Sequence, residues 1–520
     1  MPLRPEDLPR ETEALRALAL SLSAENAALK AAIKQINLQS FGQRSERTRL
    51  IIEGQLGLEL GDPSEETELP AAEVIPFPPP APRGKRKPAR RNIGQLPDWL
   101  PRVVEVIEPE GKACPCCQGA LHKIGEDVAE ALDVVPARVR VLRTIRPRYA
   151  CRGCESGITQ APARPRLFDG GMATTALVSS VVVWKYAWHM PLSRQADMLA
   201  GQGIRLDRAT LGKWVKKTAW WLKGLYQLQL ATIHGCSRVF CDETRLPVRK
   251  KGRRRTHNGQ FWAHAVDDRP WGGPAAPAVA YVFAQGRGHK EISAQLAGYQ
   301  GLLQVDGYGG YKRLGKPGRS PGPITLAFCL THARRKFVDV YKVTKSAFAA
   351  EIIGIFGRVY AVEAKIRGRS AAERAAHRQE KTVPIMVELK QRLEGELPGL
   401  SSKSALAKAI RYTLAHWVGL TRFLEDGRLE PDTNTVERTM RPIALGRRNY
   451  LYAGDDGGAE TWAILASLLM TARLNDIDPL IWLSDVLEQI VSGQVKAPEL
   501  HRLLAWNWKA ERAAKIAAAA

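Results

Sequence analysis

From Arg238 onward, short apolar runs alternate with turn-rich and basic stretches, and the order of these elements restricts the fold more than any other feature of the chain. Arg238 to Asp242 reads as a strand closing at the acid, followed by a basic, hairpin-like stretch from Arg249 to Arg255 and a strand from Gln260 to Val266. After the turn-rich Asp267 to Pro277 comes a third strand, Ala278 to Ala284. A helix-like His289 to Tyr299 then leads into Leu302 to Val305, a strand that delivers Asp306. Ile324 to Leu330 is a further apolar strand, and it runs into the basic helix start His332 to Phe337.

Three strands, a helix, a strand and then alternating elements form the ribonuclease-H-like arrangement. In that fold a first acid lies on strand one, a second at the end of strand four and a third on a later helix. Asp242, Asp306 and Glu437 stand at those places. Three such carboxylates can hold a pair of Mg²⁺ (or Mn²⁺) ions that clamp the attacking and leaving oxygens of a phosphodiester. Glu437 also has a purely structural reading, because Asn434-x-x-Glu437 has the spacing of a capping box. Glu430 and Asp432 are the neighbouring acids that could take its place.

Between Val340 and Asp426 the periodicity becomes helical. Ile352, Ile355, Phe356, Val359, Val362 and Ile366 share one face, and Leu406, Ile410, Leu414 and Trp417 another. A helical insertion here accounts for the long gap between the second and third acids.

The formal charge of +24, from 77 bases against 53 acids in 520 residues, points to a polyanionic partner, nucleic acid before an acidic membrane surface. There is no run of about 18 uncharged apolar residues and no signal-peptide core, so the expectation is a cytoplasmic, nucleoid-associated protein with no membrane partner. Four of the eight cysteines fall in two C-x-x-C pairs, which suit metal binding in a reducing compartment better than disulfides. Cys114, Cys117, Cys151 and Cys154 fit a tetrahedral structural Zn²⁺ site with no open position, leaving Cys116 spare.

Ahead of the cysteines, Leu8, Leu15, Leu22, Leu29 and Ile36 recur every seven residues, with Asn26 at an a position if the leucines are d. This fits a parallel self-associating zipper; the weak a seam of Thr12, Ala19 and Ile33 also fits a single helix folded onto its own chain. The Pro-rich and basic segment that follows reads as a linker, either solubilising or a DNA-backbone arm. Pro191 to Leu199, a Gly201-Gln202-Gly203 turn and the helix start at Asp207 have the layout of a helix-turn-helix. Its exposed face would carry Arg208, Thr210 and Lys213.

With these residues laid out, the chain resembles the transposases of the insertion sequence 66 family over nearly its whole length. The resemblance is carried by the two cysteine pairs, His189-Met190-Pro191-Leu192, Asp242-Glu243-Thr244, Asp306-Gly307-Tyr308-Gly309-Gly310-Tyr311, His332-Ala333-Arg334-Arg335-Lys336-Phe337 and Asn434-Thr435-Val436-Glu437-Arg438. The last block continues through Arg441-Pro442 and Leu445 to Gly454. Departures are Gln118 for the usual Gly, Thr433 for an Asn, and Leu330-Thr331 for Trp-Ala. None removes a candidate ligand.

The resemblance implies a DDE transposase acting on double-stranded DNA, both the terminal inverted repeats of its own element and a target, with two small accessory proteins of that element as partners. His332, Arg335, Arg438, Arg441 and Arg448 are then candidates for phosphate or target contacts. The expected organisation is multidomain α/β. It comprises a zipper-like coiled coil over 1–60, a linker over 61–100, a zinc module over 101–165 and a helical region with the helix-turn-helix over 166–232. The ribonuclease-H-like core follows over 233–340 and 427–475, interrupted by the insertion at 341–426 and closed by helices over 476–520. The competing expectations are a zinc-containing DNA-binding regulator with an inactive core, and a nuclease of the same fold that cuts without strand transfer.

Overall fold

The computed structural model describes residues 139–150, 158–168, 171–250 and 256–519. Residues from Arg146 to the C-terminus belong to one compact unit, and 139–145 fall in another. The leucine repeat, the linker and Cys114, Cys117, Cys151 and Cys154 all lie outside the described residues. Strand β1 (Arg148–Ala150) pairs antiparallel with β2 (Ile158–Gln160), and the second cysteine pair falls on the chain between them.

Three helices precede the main sheet: α1 (Thr175–Tyr186), α2 (Leu192–Gly201) and α3 (Arg208–His234). The turn between α2 and α3 holds Gly203 at φ 81°, a left-handed conformation that a Cβ disfavours. Asp207 then starts α3 by accepting the Ala209 N–H at 3.3 Å.

The main sheet has the order β5-β4-β3-β6-β7, built from β3 (Arg238–Arg249), β4 (Thr256–Val266), β5 (Ala278–Ala284), β6 (Leu302–Val305) and β7 (Thr325–Phe328). The first three strands are antiparallel neighbours, whereas β3, β6 and β7 run parallel. Helix α4 (His289–Gln295) makes the crossover from β5 to β6.

One expectation fails here. Strand β3 does not close at Asp242 but continues seven residues further, in register with β4 as far as Arg249 opposite Thr256. The polar run Asp242 to Arg245 hides a period-two pattern that resumes with buried Leu246 and Val248. Only the parallel partner stops near Asp242, because β6 ends at Val305.

Both faces of the sheet are covered. Phe240, Leu246, Phe261 and Tyr281 pack with α1, α3 and later helices, while Val239, Cys241, Trp262 and Leu303 pack on the side of α4. After β7 come α5 (Leu330–Thr344), α6 (Ala347–Ile366), α7 (Ala371–His377), α8 (Val383–Glu396), α9 (Ala405–Ala415) and α10 (Trp417–Thr421). Most of both apolar faces read from the sequence, all but Val362 and Ile366, joins one cluster, with Ile352, Phe356 and Ile410 fully buried. The chain ends through α11 (Asn434–Tyr450), α12 (Asp456–Leu474), α13 (Pro479–Val491) and α14 (Ala505–Ala519).

Edge strand β5 is closed by α12 rather than by another strand. The N–H groups of Val279 and Tyr281 donate to Thr471 Oγ1 and Ser467 Oγ at 3.0 and 2.7 Å. An exposed ladder edge is thereby removed.

The helices of the 341–426 region are tied to the segment that leads into α11 by buried arginines. Arg378 donates to the carbonyls of Phe423 and Leu429, at 2.8 and 2.9 Å, and pairs with Glu363 at 2.8 Å. Arg374 pairs with Glu430 at 2.7 Å and with Glu363 at 3.5 Å. Glu430→Ala leaves a buried guanidinium with only its longer contact, which costs about 3 kcal/mol at the lower end for broken buried pairs. Chemical denaturation measures that loss, and an unchanged midpoint would show that Glu363 alone satisfies Arg374.

Candidate active site

The register of β3 against β6 runs Arg238 to Leu302, Val239 to Leu303 and Phe240 to Gln304, and the same offset separates Asp242 from Asp306. Continued two residues past the last paired position, that offset brings the two aspartates together at the carboxyl end of the parallel pair, where the Asp306 charge acts on Asp242. On one side of β3 the chain proceeds to β4 and β5; on the other lie β6 and β7. This is a topological switch point, where open sheets leave a crevice beyond the strand ends.

Asp306 Oδ1 accepts the Tyr308 N–H at 2.8 Å, and the Asp306 carbonyl accepts the Tyr412 hydroxyl at 3.0 Å. Asp242 Oδ1 accepts the N–H of Glu243 at 2.9 Å. Among the described residues no Lys or Arg forms an ion pair with either aspartate. Burial raises the Asp242 pKa well above the usual carboxylate range, and the charges of Glu243, Asp306 and Glu437 raise it further.

Glu437 arrives on the first turn of α11, whose Val436, Met440 and Ile443 face the core at helical spacing. The capping box is not formed. Asp432 Oδ1 takes the Asn434 N–H at 3.0 Å, and Glu437 Oε1 instead accepts the Thr433 hydroxyl at 3.1 Å. Asp432 thus acts as the turn-forming residue, and burial lifts its pKa to about 6. Glu430 is held by Arg374, and its backbone exchanges two hydrogen bonds with Gln304, at 2.7 and 3.1 Å. Gln304 links the strand that leads into Asp306 to the segment that delivers Glu437.

His332 lies half-buried on α5 with Nδ1 3.8 Å from Glu437 Oε1, and burial lowers its pKa against the opposing charges of Glu437 and Asp306. Ligand atoms of Cys329, His332 and Glu437 lie within 4.8 Å of one another. Arg335 is half-buried. Arg438, Arg441 and Arg448 are exposed and follow one stripe of α11. Arg208 and Lys213 are exposed on α3, and Thr210 is half-buried.

Sequence reading missed Glu243. Its side chain is 1 % exposed, paired with Arg287 at 2.6 Å and accepting the Tyr311 hydroxyl at 2.7 Å. Burial raises its pKa. Period two turns Glu243 to the opposite face from Asp242, so this acid buttresses the strand beneath the site. Two adjacent acids in a strand were the signal, since a buried acid requires a partner.

A chain of charge +24 that gathers acids at the switch point of a mixed sheet, beside exposed arginines, has the build of a protein that works on nucleic acid. It belongs to the IS66 family of transposases. The family model described as Transposase IS66 family matches residues 170–461, and that for the zinc-finger binding domain of transposase IS66 matches 112–155. The IS66 C-terminal element matches 467–506, and the model named Transposase C of IS166 homeodomain matches 28–104. Similar chains in Sinorhizobium fredii include the uncharacterized protein y4jD, 53% identical over 99% of this chain and 100% of the relative. The uncharacterized protein y4qI is 39% identical over 97% and 98% of the two chains, and y4hP 36% over 95% and 91%. The chain is thus a DNA-binding, zinc-binding transposase of an insertion sequence. No described helix is long and apolar enough to cross a membrane.

Proposed function

We propose that this transposase cuts and joins DNA at the ends of its own element from a ribonuclease-H-like core, with Asp242, Asp306 and Glu437 as its metal-holding acids. The reading rests on one observation: two aspartates brought together at the ends of parallel neighbours, with Glu437 close enough for its charge to raise the Asp242 pKa. The strand order β5-β4-β3-β6-β7 supports the core assignment.

The donor set fits divalent cations. Three carboxylates offer hard oxygen ligands, and their mutual repulsion at Asp242 is what a bound cation relieves. Mg²⁺ or Mn²⁺ held there supplies neutralisation of the phosphodiester and a lowered pKa for the attacking hydroxyl. Thr433 and the Asp432 turn orient Glu437, and Gln304 keeps its helix start aligned with β6. Exposed Arg438, Arg441 and Arg448 lie where a phosphate backbone can approach the same helix, and His332 and Arg335 on α5 are further candidates for phosphate contacts.

Helices α2 and α3 provide a helix-turn-helix for element ends, led by Arg208, Thr210 and Lys213. Incubation with a duplex ending in the element's terminal repeat and a target plasmid tests the whole reading. Strand-transfer products are expected; nicks without joining would favour a nuclease, and binding without nicks a regulator.

Self-association through the leucine repeat brings two ends into one complex. Replacing Leu15, Leu22 and Leu29 by Ala removes the d layer, at about 2–5 kcal/mol per buried leucine. The triple variant should bind one end normally and fail to bridge two. Light scattering and paired-end assays check this, and an unchanged oligomer would mean that the helix folds onto its own chain.

A further inference from the structure

Helix α3 contains no Asp or Glu in 27 residues, yet carries Arg208, Lys213, Lys216, Lys217 and Lys223. Its buried side is formed by Leu211, Trp214, Val215, Thr218, Leu222 and Leu225. At 3.6 residues per turn, Lys213, Lys216, Lys217, Trp220 and Lys223 gather on the opposite side. Lys213, Lys216 and Lys223 are exposed, and Trp220 is 60% exposed with the Lys217 ammonium 3.7 Å above its ring. An apolar ring that large at the surface, holding a cation in place, is not needed for a merely solvated face.

The far half of the same helix is fastened to the sheet. Tyr226 donates its hydroxyl to the Tyr281 carbonyl at 2.7 Å, and Gln229 donates to the Val279 carbonyl at 2.8 Å. A single rigid rod therefore joins this basic stripe to the sheet that carries Asp242 and Asp306.

We infer that Lys216, Lys217 and Lys223, with Trp220 as the platform for Lys217, form a phosphate track for duplex DNA that extends from the helix-turn-helix toward the sheet. The inference rests on the proposed DNA-cutting role and assigns a surface beyond it. Charge complementarity selects the occupant: three ammonium groups spread over about 10 Å of acid-free helix match the phosphates of a duplex backbone. The nearest acid in sequence, Asp207, is engaged in capping Ala209. Such contacts position the duplex without reading its bases.

The test uses the full chain with Lys216, Lys217 and Lys223 changed together to Gln, and a second variant with all three changed to Arg. Binding is measured against salt concentration for a mixed-sequence duplex and for the same duplex ended by the terminal repeat. Neutralised phosphates contribute roughly 0.9 each to the slope of log affinity against log salt. The Gln variant should therefore flatten that slope by about 2 to 3 on both duplexes, keep the ratio between them, and retain wild-type thermal unfolding. The Arg variant should restore the slope. An unchanged slope in the Gln variant overturns the track, as does loss of the terminal-repeat preference with the slope intact. If wild-type protein binds neither duplex, the DNA-cutting role itself falls and the track with it.

Discussion

Asp242→Asn, Asp306→Asn and Glu437→Gln are each expected to abolish metal-dependent cleavage of element ends while leaving end binding nearly intact. Each change removes a ligand charge and almost no volume. The metal contribution at stake is several kcal/mol of transition-state stabilisation, so a loss of at least about a thousandfold should be seen. The side-chain environment sharpens the expectation. Asp432 holds the Asn434 N–H and Glu430 is held by Arg374, so neither is free to substitute for Glu437. Asp432→Asn keeps that turn and should cut at a rate close to wild type. Gel assays of nicked ends against Mg²⁺ or Mn²⁺ concentration measure all four variants. Near-normal cutting by any of the first three would remove that residue from the ligand set.

The second large effect concerns zinc. The zinc-finger match spans residues 112–155, which contain both cysteine pairs. Purified protein should carry one Zn²⁺ per chain, bound by Cys114, Cys117, Cys151 and Cys154. Small zinc modules take most of their folding free energy from the metal, with apparent binding of about 10–16 kcal/mol at neutral pH. Replacing any of the four by Ser should therefore release the metal and unfold the module, whereas Cys116→Ser keeps it. Elemental analysis with limited proteolysis separates these results. Zinc-free protein prepared without chelator would falsify the assignment. A variant lacking Cys154 that retains full zinc would show that Cys116 or another group completes the set.

Local sequence determined much of what surrounds the site. Short apolar runs marked β4 to β7, the 3.6-residue period marked the helices between Val340 and Asp426, and Gly203 marked the turn before α3. The placement of Asp306 after β6 and of Glu437 in a first helical turn was legible because both depend on neighbours a few residues away. These features follow from backbone propensity and burial of one face, which act over a single element.

Tertiary structure decided the rest. Strand β3 runs past Asp242 because β4 offers it a ladder, a partner invisible within Asp242-Glu243-Thr244-Arg245. The spacing of Asn434 and Glu437 fits a capping box, but Asp432 reached the amide first and left Glu437 facing Thr433 and His332. Glu243 found Arg287 and Tyr311 at separations of 44 and 68 residues, and Gln304 found Glu430 at 126. Side-chain hydrogen bonds between buried groups depend on which elements meet in space. No local period records that choice, and the cost of leaving a buried polar group unpaired enforces it.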